Sequence, residues 1–453
     1  MDNLSKIFNL ILLGVTGCVI VFGGLYILIK NVGKAPKIDS NYLSKSKKEQ
    51  AKGIIFGKSG TDYVYSPEEK EGHCVVFGGS GLGKTSAVLI PTLRSWTGSS
   101  FTIDISGDIS KNVDIPKKLE YEPGTPGSIP YNIFHQIDQI DDIDDINEEL
   151  EKLTYLLLPD DPKANSNAQY FITEGRKILT ASFIAFYGLG YDFIEICEKI
   201  MSKSYKDLFN AIDRTKNTKA IQYINSFEGT NEQNIAGCKQ SADLAVKIFA
   251  TNEKIKKSIR RNCEDEEFFS PEKIEDHNVF LIVPDHKLDV YSQLLHIITS
   301  QCLDFFSRRT EEKKNQILFC LDEFASLGKL EITSALRKFR KRHIRIIILT
   351  QSLADIDGIY SRDQRISMFD NFMYKCILGA YDVSTQELFS KLIGYKKINK
   401  KSVSSGAKGV TKTVSEDKEF VVEPSQFSNL KNDLILIYPG GNIKLKKNFY
   451  FKD

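Results

Sequence analysis

Apolar residues recur along this chain in two rhythms. Short unbroken runs at 75–77, 101–105, 279–283, 316–321 and 344–349 have the length and continuity of strands buried on both faces of a parallel sheet. Runs at 375–378 and 434–438 would extend that sheet. Elsewhere the period lengthens. Ile137, Ile140, Ile143, Ile146, Leu150 and Leu153 return every three or four positions, with Asp138, Asp141, Asp142, Asp144, Asp145, Glu148 and Glu149 between them, which predicts an amphipathic helix with an acidic wet face. Residues 167–186, 194–201, 206–213 and 235–250 continue in that manner, and 288–306 predicts a further long helix. The pattern divides the chain into residues 1–30, then 31–139 and 271–453 as two parts of one α/β unit, with an all-α insertion at 140–270.

Residues 8–29 carry no charge, and 22 residues at 1.5 Å each reach roughly 33 Å, enough to cross a bilayer core as one transmembrane helix. Lys6 precedes this stretch, whereas Lys30, Lys34, Lys37, Lys45, Lys47 and Lys48 follow it, so the positive-inside rule keeps the carboxyl-terminal bulk in the cytoplasm. A signal peptide, with Val15 to Cys18 as a lipoprotein-like box, and a buried globular helix, which would usually show a polar face, are the competing readings. Against the signal peptide, apolar sequence continues well past Cys18.

The run at 75–77 opens onto Gly78, Gly79, Ser80, Gly81, Leu82, Gly83, Lys84 and Thr85, followed by the helix-like 86–90 beginning at Ser86. Strand, G-x-x-x-x-G-K-[ST] loop and helix together form a phosphate cradle. Glycines let backbone N–H groups turn toward the phosphates, and the helix points its positive end at them. Lys84 would hold the β and γ phosphates of ATP, and Thr85 would offer its hydroxyl to Mg²⁺. Two acids at the end of an apolar run mark the complementary half. Asp322 would hold the Mg²⁺ shell, and Glu323 would polarise an attacking water. Gln351, just past the 344–349 run, would sense the γ phosphate or orient the water. Arg340 lies in a basic stretch before that run. It is a candidate finger toward a neighbouring subunit's nucleotide, with a solvated helix face and a DNA-facing loop as alternatives.

Composition changes the picture little. Among 453 residues, 61 Lys plus Arg nearly balance 59 Asp plus Glu, so any contact with nucleic acid must come from a local patch. Lys254, Lys256, Lys257, Arg260 and Arg261, with Asn252 and Asn262 nearby, are one such candidate, and a solvated face is the other reading. The 8 cysteines include no C-x-x-C pair, which argues against a zinc module or disulfide framework. Residues 400–419, rich in Ser, Lys, Thr and Gly, read as a mobile loop or an exposed hairpin.

Taken in order, HCVVFGGSGLGKTSAVLIPTL, TIDISGDI, PYNIF, LFCLDEFASLGKL, IIILTQSLADIDGIY and EPSQFSNLKNDLILIYPGG resemble the TraG/TraD coupling-protein ATPases of type IV secretion. The resemblance implies a RecA-like P-loop NTPase core with a helical lid, assembled as a homo-hexameric ring at the inner face of the membrane. It implies partners too: DNA, most simply single-stranded and relaxase-bound, the relaxosome and the secretion-channel proteins. Lys84 and Thr85 match the phosphate loop, Asp322 and Glu323 the acidic pair, Gln351 the sensor, and Arg340 the finger position. The chain departs from many relatives in having Ser106 where they have lysine, one apolar anchor in place of two, and no long carboxyl-terminal tail. Two other functions compete: a nucleotide-switched docking module that does not pump, and a ring ATPase that exports protein or segregates chromosomes.

Overall fold

The computed structural model describes residues 38–161, 164–261, 267–406 and 409–452. The expected transmembrane helix at 8–29 lies outside them, and among the described residues no helix is long and apolar enough to cross a membrane.

One sheet of 12 strands organises the chain. Its parallel part runs β10 (Phe372–Ile377), β4 (His73–Phe77), β9 (Ile344–Thr350), β8 (Ile317–Leu321), β5 (Ser99–Asp104), β7 (Asn278–Ile282), β6 (Lys118–Tyr121). Antiparallel strands continue the sheet from β10: β13 (Asp433–Tyr438), β14 (Gly441–Lys446), β2 (Gly53–Ser59), β3 (Asp62–Pro67) and β1 (Ser44–Ser46). Every residue of β4, β5, β7, β8 and β9 is buried, because helices cover both faces of the parallel part. Val75, Phe77, Phe101 and Phe319 pack into the layer that includes the inserted helices. Cys74, Val76, Leu318 and Cys320 pack on the other side, against Ala87 to Ile90 and Leu93.

Between β6 and β7 the chain leaves the sheet and, among the described residues, forms seven α-helices: Ile143–Leu157, Ser166–Tyr187, Phe193–Ser202, Tyr205–Asp213, Thr218–Asn225, Glu232–Thr251 and Glu253–Ser258. Each starts on a side chain that accepts a first-turn N–H: Asp142, Asn165, Asp192, Ser204, Asn217, Asn231 and Asn252. Asp142 corrects the sequence reading. Its cap starts the first helix at Ile143, so Ile137 is buried in a separate short turn and Ile143 is 67% exposed. The 400–419 segment forms a hairpin, β11 (Tyr395–Gly406) against β12 (Gly409–Phe420). At its base Tyr395 stacks on Phe420 with ring centroids 4.5 Å apart, and Lys397 pairs with Glu416.

The amino ends of the parallel strands are held by two buried bases. Arg345 donates to the carbonyls of Gly72 at 3.0 Å and Pro67 at 2.8 Å, tying β9 to the β3–β4 connection. His73 accepts the N–H of Ile346 at 3.0 Å through Nδ1, so Nε2 carries the hydrogen donated to the Leu336 carbonyl at 2.9 Å. Burial pushes the imidazole down to about 3 from an ordinary 6.5. The unfolded chain therefore takes up this proton before the folded one does. The stabilisation is complete above pH 6.5 and drains away as pH falls toward 3, at up to about 1.4 kcal/mol per pH unit. We expect His73→Gln to take up about one proton fewer on unfolding near pH 5, as measured by the pH dependence of the urea midpoint.

Candidate functional site

The carboxyl ends of β4, β8, β9 and β10 share one edge of the sheet, and the predicted site residues other than Arg340 gather there. After Phe77 the chain turns through Gly78 to Gly83. Gly81 and Gly83 take φ of 73° and 96°, where a side chain would be strained. Ser80 and Gly81 are exposed at the tip, and Gly78 N–H anchors the loop to the Thr350 carbonyl of β9 at 3.2 Å. The helix begins at Lys84 as a wide turn over Lys84–Leu89, in which Ile90 N–H reaches back to the Thr85 carbonyl. Pro91, in the first turn of the following α-helix Ile90–Ser95, has no N–H to donate, which favours this local change of winding. Thr85 and Ser86 are partly exposed at the mouth.

Lys84 is only 6% exposed, and its Nζ donates to the Gly78 carbonyl at 2.8 Å. The same ammonium lies 3.9 Å from Glu323 Oε1, and Glu323 Oε2 accepts from Gln351 Nε2 at 3.3 Å. Lysine, acid and amide from three strand ends thus form one continuous contact. Glu323 reaches it from a left-handed backbone, φ 42° and ψ 49°, an unfavourable conformation for a side chain of this size. Its N–H bonds to Asp322 Oδ1 at 3.0 Å. Burial, followed by the neighbouring Glu323 charge, raises the Asp322 carboxyl to about 7 against the opposing pull of that N–H and of Lys84. The Asp322 carboxyl and the Thr85 hydroxyl both offer oxygen, a donor type that suits a hard metal.

Arg340 is elsewhere. It follows helix Ile332–Phe339 at the amino edge, ion-paired with Glu71 at 3.6 Å. The seven residues of β9, roughly 23 Å at 3.3 Å each, separate that edge from Gln351. Within one subunit, therefore, Arg340 does not reach its own phosphate loop. The basic cluster is partly turned inward: Lys256 pairs with Glu198 at 2.7 Å, Arg261 pairs with Asp138 at 2.7 Å, and Asn252 caps a helix, while Asn262 lies outside the described residues.

Three contributors have no signal in the local sequence. Asp104, at the end of β5, accepts the N–H groups of Gly107 at 3.0 Å and Ser110 at 2.7 Å, shaping the turn beside Asp322. Lys447 donates to the Leu82 carbonyl at 3.0 Å, and Phe449 fills the space beside Gly83 so closely that a Cβ there would lie 2.8 Å from its ring. The four-residue turn Phe324–Leu327 after Glu323 also walls a cleft of about 1060 Å³, whose far side is the first inserted helix at Leu153 and Tyr155.

A glycine cradle after β4, closed by a buried lysine and faced by an acidic pair at the end of β8, one strand removed in the same parallel sheet, defines a P-loop NTPase fold. Residues 34–453 match the family described as "Type IV secretory system Conjugative DNA transfer", and the chain belongs to that family. Protein VirD4 of Agrobacterium fabrum (strain C58) is 23% identical over 437 residues, an alignment covering 89% of this chain and 62% of VirD4. The chain thus spans about 62% of the length of that curated relative. Among solved structures, the conjugative coupling protein TrwBdeltaN70 in its unbound form superposes with a TM-score of 0.70 at 17% identity, covering 92% of this chain and 96% of that one. TrwB in complex with ADP and Mg²⁺ gives 0.68 at 18% identity, with 92% and 96% covered.

Because Asp322 keeps its proton to about pH 7 in the folded chain but only to about 3.8 in the unfolded one, its ionisation erodes stability as pH rises from about 4 to 7 and is a constant penalty above. Asp322→Asn should therefore raise the melting temperature of the nucleotide-free protein at pH 8, by a stability gain on the order of a few kcal/mol, and change it little at pH 4. Thermal melts at the two pH values measure the difference.

Proposed function

We propose that this protein is a membrane-anchored ATPase that couples a DNA-processing complex to a type IV secretion channel and drives relaxase-bound DNA through it. The observation that carries the reading is the contact of Lys84, Glu323 and Gln351 at one sheet edge, beside a buried Asp322. Family membership supports conjugative DNA transfer as the process. TrwB, whose fold this chain shares, is recorded with ADP and Mg²⁺ and with ATP and GTP analogues. The uncharged stretch at 8–29, followed by lysines, supports a single-pass anchor in the cell membrane with the bulk in the cytoplasm.

In this mechanism the loop N–H groups and Lys84 hold the β and γ phosphates, and Lys84 exchanges its Gly78 contact for phosphate oxygens. Mg²⁺, held by the Thr85 hydroxyl and the shell that Asp322 orders, would offset the charge gathering between the β and γ phosphates. Glu323 accepts a proton from water as the water oxygen bonds to the γ phosphorus, and the bond from that phosphorus to the β–γ bridging oxygen breaks. Gln351, already bonded to Glu323, fixes the direction of that carboxylate. Arg340 is supplied by the adjacent subunit of a homo-hexameric ring, which accounts for its distance from its own loop. A nucleotide-switched docking module would not require the Glu323–Gln351 pair, and this favours a motor.

We expect Lys84→Ala and Glu323→Gln each to lower ATP turnover by roughly 100-fold or more, with the near-isosteric Glu323→Gln leaving the melting temperature within about two degrees of wild type. Wild-type turnover in either would overturn the site assignment. Single-stranded DNA should stimulate the wild-type rate, and a flat response to every DNA would favour docking or protein export. For the ring, Lys84→Ala and Arg340→Ala subunits should be inactive alone and recover measurable hydrolysis when mixed. No recovery in mixed rings would remove Arg340 from the shared site.

A further inference from the structure

The phosphate end of the proposed site is fixed by its partners, and this constrains where the rest of a nucleotide must lie. Glu323 and Gln351, which face the γ phosphate, stand at the ends of β8 and β9, on one side of β4. The other neighbour of β4 is β10. A triphosphate laid along the loop with its γ end toward β8 and β9 therefore sends its nucleoside toward the segment that follows β10.

That segment is built against the loop. Ile377 of β10 is in register with Phe77, and Leu378 N–H bonds to the Phe77 carbonyl at 2.8 Å, so the two chains leave the sheet side by side. Gly379 is filled by the Leu82 side chain, which would lie 2.5 Å from any Cβ placed there. Ala380 N–H is held by the Phe427 carbonyl at 3.2 Å, and Asp382 accepts the N–H of Thr385 at 2.8 Å as the cap of helix Val383–Ile393. Tyr381 is thus pinned between a strand end and a helix start. Its ring lies across Gly79, 2.9 Å from where a Cβ would be, yet the residue is 62% exposed. Neither its ring nor its hydroxyl has a ring or hydrogen-bond partner among the described residues. A large aromatic held in place at the lip of a phosphate loop, with a face open to solvent, has the form of a stacking platform.

We propose that Tyr381 is the subsite for the nucleobase, the residue on which a purine ring stacks when the triphosphate occupies the loop. This rests on the nucleotide reading above and adds to it the part of the substrate that the phosphate machinery does not touch. Stacking on an aromatic face recognises a ring without reading its edge, so affinity for the nucleoside, not for the phosphates, depends on this side chain.

The test separates the two ends of the ligand. Binding of ATP and of inorganic tripolyphosphate, each with Mg²⁺, is measured calorimetrically on the full chain and on Tyr381→Ala and Tyr381→Trp. We expect Tyr381→Ala to weaken ATP roughly tenfold or more while tripolyphosphate binds as to wild type, and Tyr381→Trp to keep ATP within about threefold. Unchanged ATP affinity in Tyr381→Ala would overturn the proposal, as would equal weakening of ATP and tripolyphosphate, which would mean that the ring only supports the loop. If wild type binds neither ligand, the nucleotide reading itself fails, and the base subsite with it.

Discussion

A lysine ammonium that is almost wholly buried must be compensated where it lies, because moving such a charge out of water without partners is prohibitive. Lys84 meets that demand with the Gly78 carbonyl and the nearby Glu323 carboxylate. Compensation therefore draws together the loop after β4 and the turn after β8. Because β9 lies between those strands, Gln351 is brought into the same contact. The acids are not equal in this arrangement. Glu323 shares the lysine and the amide, whereas Asp322, buried beside it, is left holding its proton near neutrality. The left-handed backbone of Glu323 and the raised carboxyl of Asp322 thus fall side by side at the mouth of the loop, where the proposed hydrolysis would place them.

The remainder of the fold serves this edge from two directions. The antiparallel strands beyond β10 bring the later part of the chain back to the helix that begins at Lys84, and the inserted helices cover the opposite face of the sheet. Where insertion and core face each other, the turn Phe324–Leu327 is common to the site and to the cleft beside Leu153. A rearrangement at Glu323 that moved this turn would alter the surface shared with the insertion.

The buried parallel strands β4, β5, β7, β8 and β9 are legible because burial on both faces leaves unbroken apolar runs, as at 279–283 and 344–349, and five of the inserted helices because their period is clean, whereas the short helices Thr218–Asn225 and Glu253–Ser258 span too few turns to show one. Strand β2 is almost entirely buried, yet it was missed, as were β1, β3, β6 and β14. β1 and β6 are only three and four residues long, β3 and β14 interleave their apolar residues with polar or charged ones, and in β2 two glycines and a lysine interrupt a three-residue apolar run. The helix expected from Ile137 begins later because Asp142 caps better than it continues, a local hydrogen-bonding choice that a hydrophobic period does not register. At the site, the loop, the acids and Gln351 were legible because their chemistry is local. Asp104, Tyr381, Lys447 and Phe449 were not, since their significance lies in contacts across the sheet. Arg340 was legible as a base, and its position at the far edge became evident only with the strand order.

Lys447 bonds to a loop carbonyl 365 residues before it. Burial lowers the affinity of that amine for its proton, so this is a settled interior contact rather than a passing surface one. On the ribosome, the glycine loop emerges early and waits. The cradle is complete only when residues 447–449 have been synthesised and laid against it. A nascent chain therefore carries the phosphate motif long before the contacts that brace it exist.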